Sequence, residues 1–160
     1  MAKMLIAYHS RTGHTGHMAE EVAEGARGEG GVEVICKPVQ DVAARELLDY
    51  DAIVLGSPTY YGTMAAEVKK LLDESVAFHG QLAGKIGGAF ASSANIGGGN
   101  ETTILDMLKA LLIHGMVVQG TASGDHYGPV AIGDPDGRAE EECRKLGANV
   151  SALTKRLHGK

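Results

Sequence analysis

Ser10-Arg11-Thr12-Gly13-His14-Thr15 places three hydroxyls, a guanidinium and a glycine in six consecutive residues, directly after an apolar run. If a helix opens there, its unpaired amides and the positive end of its dipole face whatever lies beyond the turn. The hydroxyls add donors without adding fixed charge, so the segment suits a terminal phosphate. A helix N-cap rich in serine and threonine has the same composition, and both readings stand on these residues alone. No Gly-Lys-Ser/Thr follows, which argues against a Walker loop and nucleoside triphosphate chemistry. Gly-x-Gly-x-x-Gly is absent too, against a dinucleotide turn. Among the histidines, His9 and His17 read as solvated polar positions. No His/Cys/Asp/Glu group shows ligand spacing along the chain, so no metal is expected. Cys36 and Cys143 lie far apart and read as reduced thiols.

The elements that must position this chemistry alternate along the whole length. Apolar runs at Met4–Tyr8, Val32–Lys37, Ala52–Gly56, Lys85–Phe90 and Gly115–Val118 read as strands. Helical spacing predicts helices over His14–Arg27, Asp41–Leu48 with Asp41 as N-cap, Thr63–Glu74, Asn100–Ile113 and Arg138–Leu157. Such alternation specifies an α/β fold, a parallel sheet with helices on both faces. Ligands of such sheets sit beyond the carboxyl ends of the strands, where the Ser10–Thr15 turn falls. Gly120–Gly137, with five glycines and two prolines, is the least regular stretch. It reads either as a surface loop interrupting the last strand or as a lid.

The 160 residues amount to one domain, 1–160, long enough to bury a core without disulfides. A net charge of −5 argues against a general nucleic-acid binder, and 44% hydrophobic residues argue against a disordered chain. The apolar run near Met1 is too short for a signal peptide or a membrane span, so a cytoplasmic protein is expected.

The Ser10–Thr15 turn has the Ser/Thr-x-Thr-Gly-x-Thr form of the flavodoxin phosphate loop. Two longer stretches make the resemblance more specific. Asp49–Met64, containing Gly56-Ser57-Pro58-Thr59-Tyr60-Tyr61-Gly62, resembles the third-strand segment of the WrbA-type NAD(P)H:quinone oxidoreductases. Gly97-Gly98-Gly99-Asn100-Glu101-Thr102-Thr103-Ile104 and His114-Gly115-Met116-Val117-Val118 resemble their fourth-helix and fifth-strand segments. Gly84-Lys85 and Tyr127-Gly128 fall in step, and the likeness covers nearly the whole chain. It departs where Tyr60 replaces the family's arginine and Ala77 its tryptophan.

The resemblance implies a flavodoxin-like three-layer doubly wound sandwich, with a five-stranded parallel sheet in the order 2-1-3-4-5. It implies non-covalent FMN in three loops. Ser10, Arg11, Thr12, Gly13, His14 and Thr15 would hold the phosphate. Pro58, Thr59, Tyr60, Tyr61 and Gly62 would line one side of the ring system. Ser92, Ser93, Ala94, Asn95, Ile96, Gly97 and Gly98 would give close backbone contacts at its pyrimidine end. His114 matches a residue beside the family's flavin. It follows a helix of about a dozen residues, ~20 Å long at ~1.5 Å per residue, so it would serve only a neighbouring subunit's flavin. His126 and Tyr127, beyond the fifth strand, are the catalytic candidates within one subunit. The activity implied is two-electron transfer from NAD(P)H to a quinone by a homo-oligomer, with no nucleic-acid or membrane partner. The alternative is a flavodoxin-type electron carrier. Such carriers are typically far more acidic than −5, to dock on basic partners.

Overall fold

Strand β1 (Ala2–Tyr8) is buried at nearly every position, as a central strand covered on both faces must be. The computed structural model describes residues 1–159. After β1 come α1 (His14–Glu29), β2 (Val32–Pro38), β3 (Ala52–Tyr60), β4 (Thr63–Met64) and α2 (Ala66–Glu74). Then follow β5 (Ile86–Ser93), α3 (Asn100–Ile113), β6 (Val117–Val118), β7 (Val130–Ile132) and α4 (Gly137–His158). The parallel order is β2-β1-β3-β5-β6, with β7 also paired to β5. Strands β6 and β7 occupy one position in the sheet. The first pairs with Ile86 and Gly87, the second with Ala91, Ser92 and Ser93. The order 2-1-3-4-5 therefore holds, with the fifth strand in two pieces and residues 119–129 looping out between them.

Helices α1 and α4 cover one face, where Met18, Val22 and Val150 meet Met4, Ile6, Val54 and Phe90. Helices α2 and α3 cover the other, where Val68, Leu71, Ile104 and Met107 meet Leu5, Ile53 and Leu55. The α1–α4 crossing depends on missing side chains. A Cβ on Gly25 would overlap the Arg144 carbonyl oxygen, and one on Gly147 would overlap that of Val22.

Three expected elements differ. Asp41–Leu48 is not an α-helix but two 3-10 turns, Val39–Asp41 and Ala44–Asp49. This connection must run back along strands of seven to nine residues, each rising ~3.3 Å per residue. Eight residues of α-helix would advance only about 12 Å, whereas 3-10 and extended backbone reach further. Glu46 fixes the path by accepting from Lys37 Nζ at 3.0 and 2.9 Å and from the Ala43 N–H at 3.2 Å. Second, β3 continues through Ser57-Pro58 to Tyr60. Strand β1 ends opposite Gly56, so Pro58 lies where β3 has lost that neighbour and needs no donor there. Third, Thr63–Met64 forms a hairpin strand against β3, and the helix begins only at Ala66.

Candidate functional site

The carboxyl ends of β1, β3 and β5 and the residue after β7 surround a cavity of about 640 Å³. That volume is within the ~300–1,000 Å³ typical of small-molecule sites. Arg11, Thr12, His14 and Thr15 line it from the first loop. Gly13 adopts φ 100° and lets the chain turn into α1 with open space where a Cβ would stand. Ser10 Oγ closes the turn from below, accepting from the N–H groups of Gly13 at 3.2 Å and Gly16 at 3.1 Å. The amides of His14 and Thr15 belong to the first helical turn and have no intrahelical acceptor. That turn contains no acidic residue. Thr15 is buried, with its hydroxyl 2.9 Å from Ser92 Oγ, which ties the helix start to the end of β5.

The second wall comes from Pro58, Thr59 and Tyr60. Tyr61 and Gly62, at φ 48° and 83°, form the two-residue turn joining β3 to β4. Positive φ at both central residues is the type I′ hairpin requirement, and a tyrosine there is strained. Its ring is fully exposed at the tip. Two bonds anchor the hairpin to α3. Thr103 Oγ1 donates to Thr59 Oγ1 at 3.1 Å, and Thr63 Oγ1 donates to Asp106 at 2.7 Å. The Lys109 ammonium and the Thr63 hydroxyl hold the Asp106 carboxyl below its usual value, so it stays an acceptor.

Ser92, Ser93 and Ala94 form the third wall. Ser93 Oγ donates to the Asn95 carbonyl at 3.1 Å and accepts from Asn100 Nδ2 at 3.0 Å, which fixes the loop as it turns into α3. Ile96 and Gly97 face a second cavity of about 510 Å³ shared with Val130 and Ile132. Asn95 and Gly98 bond each other across that turn and line neither wall of the first cavity. Gly133 lines the first cavity and donates to the Ser93 carbonyl at 2.8 Å; sequence reasoning missed it. Its one signal was its place in the glycine-rich stretch 120–137.

The candidate catalytic residues lie elsewhere. His126 and Tyr127 are exposed on the 119–129 loop and outside the cavity. That loop is held to α4 by Arg138–Asp125 at 2.8 Å and by Lys145 Nζ on the Ser123 carbonyl at 2.7 Å. His126 Nδ1 lies 2.8 Å from the Thr121 carbonyl of its own loop. The stretch is a surface loop interrupting the last strand, with His126 and Tyr127 on its exposed side.

His114 ends α3 at the opposite edge of the sheet, 93% buried against Ser75. The Ser75 hydroxyl donates to the Leu72 carbonyl at 2.6 Å, so it accepts from His114 Nε2–H at 2.7 Å. Nδ1 is then the bare nitrogen, buried without a partner. Burial, followed by the neighbouring His79, pushes the His114 pKa down.

His9 is largely buried and His17 half-buried, each beside acidic side chains. His9 Nδ1 is buried without a partner, its Nε2 is 3.7 Å from Glu67, and its ring meets Tyr60 edge-on at 6.3 Å. His17 sits among Asp134, Glu140 and Glu21 at the α1–α4 seam. Burial and nearby glutamates push both Cys36 and Cys143 up to about 12, so both stay protonated. Among the described residues no helix is long and apolar enough to cross a membrane.

Comparison with known proteins gives a consistent picture. The family described as flavodoxin domain matches residues 5–111. A flavodoxin of Aquifex aeolicus is 39% identical, covering 94% of this chain and 86% of its own length. An NAD(P)H dehydrogenase (quinone) of Archaeoglobus fulgidus is 33% identical, covering 98% of this chain and all 100% of its own. The structure of a flavodoxin, WrbA-like protein from Agrobacterium tumefaciens matches with TM-score 0.80 at 28% identity, over 98% of this chain and 99% of that one.

Proposed function

The chain belongs to the flavodoxin domain family, and we propose that it works as an FMN-dependent oxidoreductase passing two electrons from NAD(P)H to a quinone. The family implies a flavin, and the cavity's own chemistry fits one. A helix start with free amides, no first-turn acid, Thr12 beside it and Arg11 at its rim is a site for a phosphate dianion. The slot between Tyr60 and Ser92–Ala94 suits a flat ring. When bound, FMN supplies the redox chemistry: it takes a hydride from NAD(P)H and, with one proton from water, delivers two electrons and two protons to the quinone.

The chain's own residues bind and orient. In this reading Arg11, Thr12, Gly13, His14 and Thr15 hold the phosphate, with Ser10 bracing the turn from beneath. Pro58, Thr59 and Tyr60 flank the ring from one side, and Tyr61-Gly62 form the rim of its approach. Ser92, Ser93 and Ala94 close the other side, with Asn95–Gly98 setting the shape of the loop. No side chain is assigned an obligatory proton transfer, because hydride transfer needs position more than a base.

One observation carries the enzyme reading over the carrier reading. The 119–129 loop is tied down on α4, which leaves the mouth between the Tyr61 hairpin and the Ala94 loop without a lid from that stretch. A nicotinamide ring needs that open face. The 39% identity to a flavodoxin supports the second reading, a one-electron carrier that turns over nothing alone. Anaerobic mixing of FMN-loaded protein with NADH or NADPH, then with benzoquinone, decides between them. The enzyme bleaches the flavin band rapidly and recovers it on adding quinone. Bleaching by dithionite alone would leave the carrier reading in its place.

A further inference from the structure

We propose that His17, Glu21 and Glu140 form a binding site for a divalent transition-metal ion of the zinc type, which would clip α1 to α4 beside the cavity. His17 and Glu21 lie one turn apart on the same face of α1, and Glu140 comes from the first turn of α4. His17 Nε2 is 3.3 Å from a Glu140 carboxylate oxygen and 3.8 Å from a Glu21 oxygen. All three ligand atoms lie within 4.8 Å of one another. Ligands held at ~2.0–2.2 Å around a tetrahedral ion stand about 3.3–3.6 Å apart. The side chains are therefore close to ligating separation.

The second ring nitrogen supplies an independent argument. His17 Nδ1 lies 3.1 Å from Asp134 Oδ1, on the side away from the two glutamates. A carboxylate there accepts a hydrogen bond from Nδ1–H and fixes the tautomer, leaving Nε2 facing two more carboxylates. Three carboxylates therefore converge on one ring, a concentration of negative charge that a metal ion at Nε2 would offset. A carboxylate–histidine pair backing the ligand nitrogen is the outer-shell pattern of metal sites. Arg144 pairs with the other oxygen of Glu21, and so holds that carboxylate in place while offsetting one of the three negative charges.

One imidazole and two carboxylates are too few oxygens for calcium, which takes 6–8, and the imidazole favours a first-row transition ion over magnesium. Three protein ligands leave the fourth position for water. Asp134 directly follows Gly133 of the cavity wall, and His17 lies one turn beyond His14. An ion at the seam would therefore pin the helix whose start forms the phosphate turn.

The test is calorimetric titration of untagged, chelator-treated full-length protein with zinc chloride, alongside its melting temperature. We expect one saturable site per chain and a melting temperature that rises with zinc. His17→Gln should remove the site and the rise together. Asp134→Asn should weaken binding by about 10–100-fold, because only a backing group is lost. Glu24→Gln, an exposed change on the same helix, should alter neither, and far-ultraviolet dichroism checks that each variant is folded. Absence of saturation by about 1 mM zinc would overturn the proposal and leave the seam as a cluster of ion pairs alone. Binding of equal affinity in wild type and His17→Gln would overturn it as well, by placing the zinc on other histidines.

Discussion

On one face of the sheet, α1 and α4 meet backbone against backbone, because Gly25 and Gly147 present no side chains at the crossing. Ion pairs Glu21–Arg144 and Glu29–Lys155 then close that seam. On the other face, α2 and α3 pack through long side chains such as Leu71, Ile104, Met107 and Leu111. Their far ends leave Val76 and Ile113 exposed around a cavity of about 410 Å³ beside His114, with Leu112 exposed nearby on α3. The difference follows from what each layer must hold still. The start of α1 forms the phosphate turn, so an error in its seat becomes an error at the ligand. The far ends of α2 and α3 adjoin no ligand wall and accept looser packing.

The largest effect expected from this contrast is at the glycine crossing. Gly147→Val should cost about 3 kcal/mol, since its Cβ has to displace the Val22 backbone rather than a flexible side chain. Leu112→Ala, on the exposed end of the opposite layer, should stay within about 0.5 kcal/mol. Urea denaturation of both variants makes the comparison; equal losses would erase it.

A smaller effect is expected at the turn itself. Thr12→Ala removes one hydroxyl from the cavity wall and should weaken FMN by about 0.5–3 kcal/mol, the upper end applying if that hydroxyl donates to the charged phosphate. His114→Gln, at the opposite edge, should leave FMN affinity unchanged. Fluorescence quenching titrations measure both.

The smallest effect concerns the pH dependence of the looser layer. Burial holds the His114 pKa below the ~6.5 of an unfolded histidine. As pH falls through ~6.5 the unfolded chain takes up a proton that the folded one refuses, so stability declines on the acid side and is constant above it. His114→Gln should flatten that decline between about pH 5 and 7 in melting experiments. An unchanged slope would mean that His114 titrates freely in the folded protein.

The parallel sheet and the helices α1, α3 and α4 were legible in the sequence, because each rests on an apolar period with a glycine or polar stop, whereas the strand order came from the family resemblance. The phosphate turn was legible for a related reason: Ser10, Thr12, Gly13 and Thr15 act within one local loop. What was hidden depends on distance through space. The span from Pro38 to Asp51 carries a helix-like pattern, but the length of the sheet decides its path. His9 looked solvated because nothing nearby in sequence reveals Glu67 and Tyr60 around it. The His17 cluster was missed because two residues at i, i+4 do not by themselves mark a ligand set, and Glu140 joins them only through the α1–α4 crossing. The side taken by the 119–129 loop rests on Arg138, Glu142 and Lys145, which follow it in sequence within the final helix and carry no local sign of what they hold.

The central claim is that the cavity at the strand ends holds a flavin by its phosphate, in a turn kept rigid by the α1–α4 seam. Parallel titrations of flavin-free protein with FMN and with riboflavin, which differ only in that phosphate, test it most directly. The account predicts that FMN binds far more tightly and that Thr12→Ala narrows the gap by weakening FMN alone. Equal affinity for the two flavins would contradict it, because Ser10–Thr15 would then hold no phosphate.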